Sequence, residues 1–258
     1  MTERAVSTFA DTRMSPGRKA LLLLTIVISL AADGLGGWQL SRMSTRRAWN
    51  AAAMTEVDRP EADLRTESLG AGANYRRVRL AGQYDFDHEI VLRGRLLRGT
   101  PGIHVITPLR IPGRDTAVLV HRGFVPTPDA GLPASRTGFA ETDSIDFKGF
   151  ALTMPDEGDG RPLGRAGALT WHRLDLTALR RQFPYPLAPY YVIVAADSVR
   201  TREHTLKGHS LPIRIEPPPL DDGPHLSYAI QWFMIGGAAL GFGLFVVRRK
   251  PGPSVVPN

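Results

Sequence analysis

Two long apolar runs bracket a middle region in which hydrophobic and polar positions alternate. Leu226 to Val247 is 22 residues without a formal charge. At the helical rise this is about 33 Å, enough to cross a hydrocarbon core of about 30 Å. His225 opens the run, and Arg248, Arg249 and Lys250 close it. On a helix, His225, Tyr228, Ala229 and Trp232 fall on one face, at spacings of three and four. The other run, Ala20 to Leu40, follows Arg18 and Lys19 and is charged only at Asp33. Two readings of it stay open: a retained span ending at a Trp38 interfacial belt, or a signal peptide cleaved after Ser29-Leu30-Ala31. The apolar pattern continues to Leu40, which favours retention. Gly34 and Gly37 on the first run and Gly237 and Gly241 on the second offer small faces for close helix packing.

Between the runs, Arg42 to Ala73 reads as a helix that continues from the span and frays into a charged linker. The period then changes to two. In Tyr75 to Gly82, Val78 and Leu80 fall on one side and Arg77 and Arg79 on the other. Further strands are predicted at His88–Leu97, Ile103–Leu109, Thr116–Val125, Ile145–Thr153, Leu169–Leu174, Tyr190–Ala195 and Leu211–Ile215, with a glycine-rich loop from Glu157 to Gly167. Asp175 is placed to cap a short helix that Pro184 stops, and Pro217 to Pro219 forms a stiff spacer. The expected fold is two transmembrane helices flanking a predominantly antiparallel, β-rich α+β domain of about seven strands, a small barrel or sandwich. The corresponding segments are a tail at 1–19, a span at 20–40, the β-rich domain at 41–224, a second span at 225–247 and a tail at 248–258.

Charge sets the orientation. Arg13, Arg18 and Lys19 before the first span balance Arg42, Arg46 and Arg47 after it, but the second span has its cations crowded at the C-terminal end. Both termini are therefore expected in the cytoplasm and the main domain outside it. The net charge of +7 comes from scattered arginines without interleaved aromatics, so membrane lipid is the expected polyanion and nucleic acid is not. With no cysteine there are no disulfides, thiolate metal sites or c-type haem attachment. No G-x-S-x-G or H-E-x-x-H occurs, the seven histidines are dispersed, and the acidic clusters at Asp156-Glu157-Asp159 and Asp221-Asp222 lie in turn-forming stretches. His204 and His209 near Glu203 are loosely spaced for a metal. No catalytic residue is assigned, and an enzyme is not expected.

Five segments in order carry a resemblance: Leu35-Gly-Gly-Trp-Gln-Leu-Ser-Arg42, Tyr75-Arg-Arg-Val with Gly82-Gln-Tyr84, Gly102-Ile-His-Val-Ile-Thr-Pro-Leu109, Val118-Leu-Val-His-Arg-Gly-Phe-Val-Pro126 and His225-Leu-Ser-Tyr-Ala-Ile-Gln-Trp-Phe233. Together they resemble the surfeit locus protein 1 family of cytochrome c oxidase assembly factors. Two departures stand out: His121-Arg-Gly-Phe124 where the family usually reads N-R-G-W, and Arg46-Arg47 where it often has a lysine. The resemblance implies a non-enzymatic chaperone of respiratory-chain biogenesis in the bacterial cytoplasmic (inner) membrane. It would assist delivery or insertion of haem a into subunit I of a haem–copper oxidase. Cytochrome c oxidase subunit I is the implied partner, with haem a synthase as a further candidate. His225 is the implied axial ligand to haem iron, and neutral imidazole suits that role. Trp232, two turns along the same face, is a candidate either for stacking on the ring or for anchoring the helix at the interface, and Tyr228, Trp38 and Gln39 are further candidate cofactor contacts. Arg42 and Arg46, four apart on one helical face, are candidate partners for the haem propionates. The competing class is a membrane-tethered envelope binding or structural protein without a haem role.

Overall fold

The computed structural model describes residues 14–128, 141, 144–156, 163–165, 168–196 and 211–249. The expectations for Arg13, Glu157, Asp159, Glu203, His204, His209 and Lys250 lie outside these residues. The chain divides into two compact units, one made of the residues up to Asn50 together with those from Asp221 onward, the other of Ala51–Leu220.

In the first unit, helix α1 begins at Pro16 and runs unbroken to Asp58, beyond the unit's own boundary. It gives way to non-helical chain inside Arg42–Ala73, the stretch expected to fray from helix into linker. The reason is Pro60, which has no N–H and drives Arg59 out of the helical region. In chain order, the next helix of this unit covers His225–Arg248 and is designated α3. Both helices are long and apolar enough to cross a membrane. Arg18 donates to the Arg249 carbonyl at 2.7 Å, whereas Gln39 and His225 meet at the opposite ends, so the two helices run antiparallel.

The second unit is a β domain with nine strands among the described residues: β1 (Ala62–Asp63), β2 (Arg76–Tyr84), β3 (Ile90–Leu97), β4 (Thr100–Arg110), β5 (Ala117–Pro126), β6 (Ser144–Thr153), β7 (Leu163–Arg165), β8 (Ala168–Trp171) and β9 (Leu187–Val194). Six pairings are antiparallel and three parallel, the latter being β1–β2, β3–β8 and β5–β9. The sheet follows the order β1-β2-β6-β9-β5-β4-β3-β8-β7 and closes by an extra pairing of β2 with β4. Strands β2, β6, β9, β5 and β4 thereby form a five-stranded barrel, the first of the two architectures expected. Closure occurs where Gln83 and Tyr84 pair with Arg110 and Leu109, beyond the last β3 partner on β4, Ile106. Gly82 allows it: a side chain there would strike the Arg110 carbonyl oxygen.

Two expectations are corrected. Leu163–Arg165, inside the predicted Glu157–Gly167 loop, forms β7. Leu211–Ile215 is not a full strand; Ile213 makes a single bridge to Phe124, because Pro212 has no N–H for a ladder. The short helix appears as α2, Leu176–Arg180, with the Asp175 carboxylate accepting from the Ala178 N–H at 3.0 Å.

Strand β2 alternates as predicted, Val78 and Leu80 buried and Arg77 and Arg79 exposed. Its inner residues join Leu109, Val118, Val120, Ile145, Phe147, Ala151 and Val192 in the barrel core. The opposite face of β5 supplies Ala117 and Leu119 to a second core with Ile106, Trp171 and Leu176. Because β5 is buried on both faces, its consecutive residues serve different interiors. The last turns of α1 pack Ala53 and Val57 with Tyr75, Leu152 and Ile193.

Arg122 on β5 is 1% exposed and lies near the rings of Tyr84 and Phe86. Its guanidinium donates to Glu89 and to Glu141, each at 2.7 Å, and Thr107 donates to the same Glu89 oxygen at 3.0 Å. Arg214 donates to Glu141 and to the Arg122 carbonyl. Burial pushes the Glu141 carboxyl up, but Arg122 and Arg214 outweigh it and hold the group below its ordinary value. Gly123 follows at φ +146°, in backbone that favours glycine, and a side chain there would strike the Ile213 carbonyl. The Arg-Gly pair of the sequence thus locks the Arg214 segment onto the barrel.

Removing Arg122 takes the guanidinium away from the buried Glu89 carboxylate and leaves Glu141 with Arg214. Arg122→Met should cost about 3–5 kcal/mol of unfolding free energy. Arg122→Lys should rescue little of this, since an ammonium cannot fork to both carboxylates. Denaturant titration of the purified chain checks both.

Acid should act on this domain through its buried imidazoles. Burial, with Arg95 nearby, pushes His104 down from 6.5 to about 4, and burial pushes His121 well below its ordinary value. The unfolded chain therefore binds protons that the folded chain refuses as the pH falls from 6.5 toward 4. Stability should be flat above neutrality and fall through that window. Replacing His104 with phenylalanine should reduce the slope, read as melting temperature against pH.

Candidate functional site

The helix pair is built on a seam of small and polar residues. On α1, Thr25, Ser29, Ala32 and Gly36 recur at helical spacing and are buried; on α3, Ala229, Gly236 and Gly243 do the same. A methyl group on Gly36 would meet the Phe233 ring at 2.7 Å, and one on Gly236 would meet the Asp33 carboxylate at 2.7 Å. One on Gly243 would strike the Thr25 hydroxyl, which is occupied within its own helix by donating to the Leu22 carbonyl at 2.9 Å. The glycines that bring the helices together are therefore Gly36, Gly236 and Gly243. Gly34, Gly37, Gly237 and Gly241, expected at the contact, have nothing within 4 Å. One residue is about 100° of rotation on a helix, enough to carry Gly237 off the seam.

At the far end of the seam, His225 Nδ1 lies 2.9 Å from Gln39 Oε1. With the amide oxygen as acceptor Nδ1 is the donor, and in the neutral ring Nε2 is then the nitrogen with the lone pair. A second-sphere hydrogen bond of this kind orients a ligating histidine and raises its basicity. Gln39 and His225 are both half-buried, and Trp232 lies half-buried two turns along α3. Tyr228 is exposed, since the packed face runs through Ala229. Trp38 and Arg42 are also exposed.

Arg46 sits differently from Arg42. Its Nε donates to the Asp221 carbonyl at 3.1 Å, its guanidinium lies 3.8 Å from the Asp221 carboxylate, and it is 5.5 Å from the centre of the Trp49 ring. Asn50 donates to the same Asp221 carbonyl at 2.8 Å, and Arg47 donates to the Asp222 carboxylate at 2.8 Å. Arg47 holds that carboxyl below its ordinary value. This clasp fixes the turn that delivers His225, with Gly223 at φ +65° completing it. Asp221 and Asp222 are thus ion-pair partners, not only solvated turn residues. The available signal was the pairing of opposite doublets, Arg46-Arg47 and Asp221-Asp222, at the same ends of the two apolar runs. Asn50 gave none. Among the described residues, no three His, Asp or Glu side chains converge as a metal site.

The SURF1 family model matches residues 26–237, from within α1 to within α3. The chain belongs to the SURF1 family. It is 28% identical to a SURF1-like protein of Mycobacterium bovis, over 95% of this chain and 91% of the relative. It is 25% identical to SURF1-like proteins of Rickettsia felis, over 89% of this chain and 95% of that one, and of Monosiga brevicollis, over 87% and 86%. The family match takes in Gln39, Arg42, Arg46 and His225, and within the barrel Gly82 and the Arg122-Gly123 pair.

The seam yields a discriminating pair of variants. Gly236→Leu overpacks the helix contact and should destabilise the protein by about 1–3 kcal/mol. Gly237→Leu, one residue on, should be nearly silent. Thermal unfolding in detergent distinguishes them.

Proposed function

We propose that this protein is an assembly factor for a haem–copper cytochrome c oxidase that holds haem a on its way to subunit I. The reading places α1 and α3 across the bacterial cytoplasmic membrane, both termini in the cytoplasm and the barrel domain outside. Support for that topology comes from the antiparallel helix pair and from Arg248 and Arg249 at the end of α3. Family membership supports the assembly role, and haem a synthase and subunit I are the partners it suggests.

The observation that carries the haem reading is the hydrogen bond between Gln39 and His225. Gln39, accepting from Nδ1, favours the tautomer of the neutral ring that presents Nε2 as a ligand atom. The clasp of Arg46, Arg47 and Asn50 on Asp221 and Asp222 holds the start of α3, and with it the imidazole. Trp232, Tyr228 and Trp38 offer flat apolar surface nearby. Arg42, exposed one turn before Arg46, suits a propionate; Arg46 could serve a second one only by sharing its guanidinium with Asp221. Haem iron, when bound, supplies the coordination site that one neutral imidazole can fill. No step of bond making or breaking in a substrate is assigned to the protein.

Deleting the protein should leave the oxidase poorly haemylated in membrane spectra. Intact oxidase spectra would instead favour a tethered envelope protein without a haem role. In protein purified after co-expression with haem a synthesis, His225→Ala should lose the haem spectrum while the protein remains in the membrane. Gln39→Leu should lower haem occupancy about tenfold or more while keeping the ligand. A parent spectrum in His225→Ala protein would rule out the ligand assignment.

A further inference from the structure

The barrel domain has a cleft of about 700 Å³ that the helix-pair reading does not use. Its size falls in the range of small-molecule sites, roughly 300–1,000 Å³. The floor carries His104 from β4 and His121 from β5, their rings 4.5 Å apart and edge to face. Leu92, Leu174, Ile193 and Ile215 provide an apolar wall, Tyr191 an aromatic one, and Pro217 to Pro219 a rigid rim. Arg95, Arg173 and Glu216 are the charged groups facing it.

The unpartnered polar atoms on this floor are one guanidinium N–H and both nitrogens of one imidazole. His121 is 4% exposed, and neither of its ring nitrogens has a hydrogen-bond partner. The Arg95 Nε is buried and likewise unpartnered, although the same guanidinium donates to the His172 carbonyl through another nitrogen. Buried donors left unsatisfied cost free energy that an acceptor would recover. With both imidazoles neutral, the balance of fixed charge is two guanidiniums against one carboxylate, which favours an anion and disfavours a metal cation.

We propose that this cleft binds a small organic carboxylate with an apolar body, the carboxylate accepting from Arg95 and His121 and the body lying against Leu174, Ile193 and Ile215. Arg173 at the rim adds attraction, and Tyr191 covers an aromatic or alicyclic body. The site is independent of the haem reading: it uses no residue of the helix pair.

The test uses the full chain in an uncharged detergent, with naphthylacetate as probe, naphthylacetamide as its uncharged counterpart and empty micelles as the partition reference. Naphthylacetate should bind saturably at one site per chain and shift the His121 ring resonances, and the amide should bind about tenfold more weakly or worse. Arg95→Gln should weaken the acid about tenfold or more and leave the amide unchanged. If Arg95→Gln protein fails to fold, Arg173→Gln, at an exposed position, should still weaken the acid several-fold without affecting the amide. Equal binding of acid and amide, or full affinity in a folded Arg95→Gln protein, would overturn the proposal. So would stoichiometric Zn²⁺ binding at His104 and His121 in protein that ignores naphthylacetate.

Discussion

The close approach of α1 and α3 is the constraint on which the candidate site depends. Two apolar helices have little hydrophobic reason to associate inside lipid, where the tails are as apolar as the side chains. What holds such a pair is packing and polar contact, and here both require glycine. Gly36 accepts the Phe233 ring, Gly236 accepts Asp33, and Gly243 accepts Thr25. A larger residue at any of the three would push the helices apart. With the seam closed, Gln39 Oε1 comes within 2.9 Å of His225 Nδ1, a contact that favours the neutral tautomer with hydrogen on Nδ1. The Arg46, Arg47 and Asn50 contacts to Asp221 and Asp222 then act as an outer fastening at the same end. The order of dependence runs from small residues to helix distance, from distance to hydrogen bond, and from hydrogen bond to the lone pair on Nε2.

The barrel domain solves a different problem with different chemistry. Closing five strands leaves an interior that must be filled or satisfied. Most of it is filled by aliphatic and aromatic side chains, but one end holds Arg122 between Glu89 and Glu141. A buried network of this kind contributes less to stability than its contacts suggest, because the desolvation of each charge offsets the attraction. Its effect is on arrangement: the segments around Glu89 and Glu141 meet at one guanidinium, and the Arg214 segment joins them by donating to Glu141 and to the Arg122 carbonyl. The alternation on β5 sends Arg122 into this network and its neighbour His121 to the opposite face, into the cleft. One tripeptide thereby serves both the closure of the barrel and a pocket on its outside.

Much of this was legible in the sequence where periodicity is strong. The alternation of Val78 and Leu80 with Arg77 and Arg79 predicted β2 and its inner face, and the uncharged stretch after His225 predicted α3. Asp175 announced the cap of α2 because a carboxylate before a helical run has few better uses. The misses have equally physical causes. The expected passage from helix to linker within Arg42–Ala73 had no stated end point; Pro60 sets it. Which glycines touch depends on helix rotation, and a one-residue error moved the predicted contact from Gly236 to Gly237. Closure of β2 onto β4 spans residues with no local signature except Gly82. Asn50 and the unpaired nitrogens of His121 could not be foreseen, since both depend on partners, or their absence, far along the chain.

The most direct measurement of the central claim is the protonation of the His225 ring. Nitrogen NMR of the full chain in lipid bilayers, labelled at histidine and assigned by comparison with His225→Ala, reports which nitrogen carries hydrogen. In the neutral ring the account predicts Nδ1 protonated and Nε2 bare, with the preference weakened in Gln39→Leu protein. A ring protonated at Nε2, or a tautomer indifferent to Gln39, would contradict it.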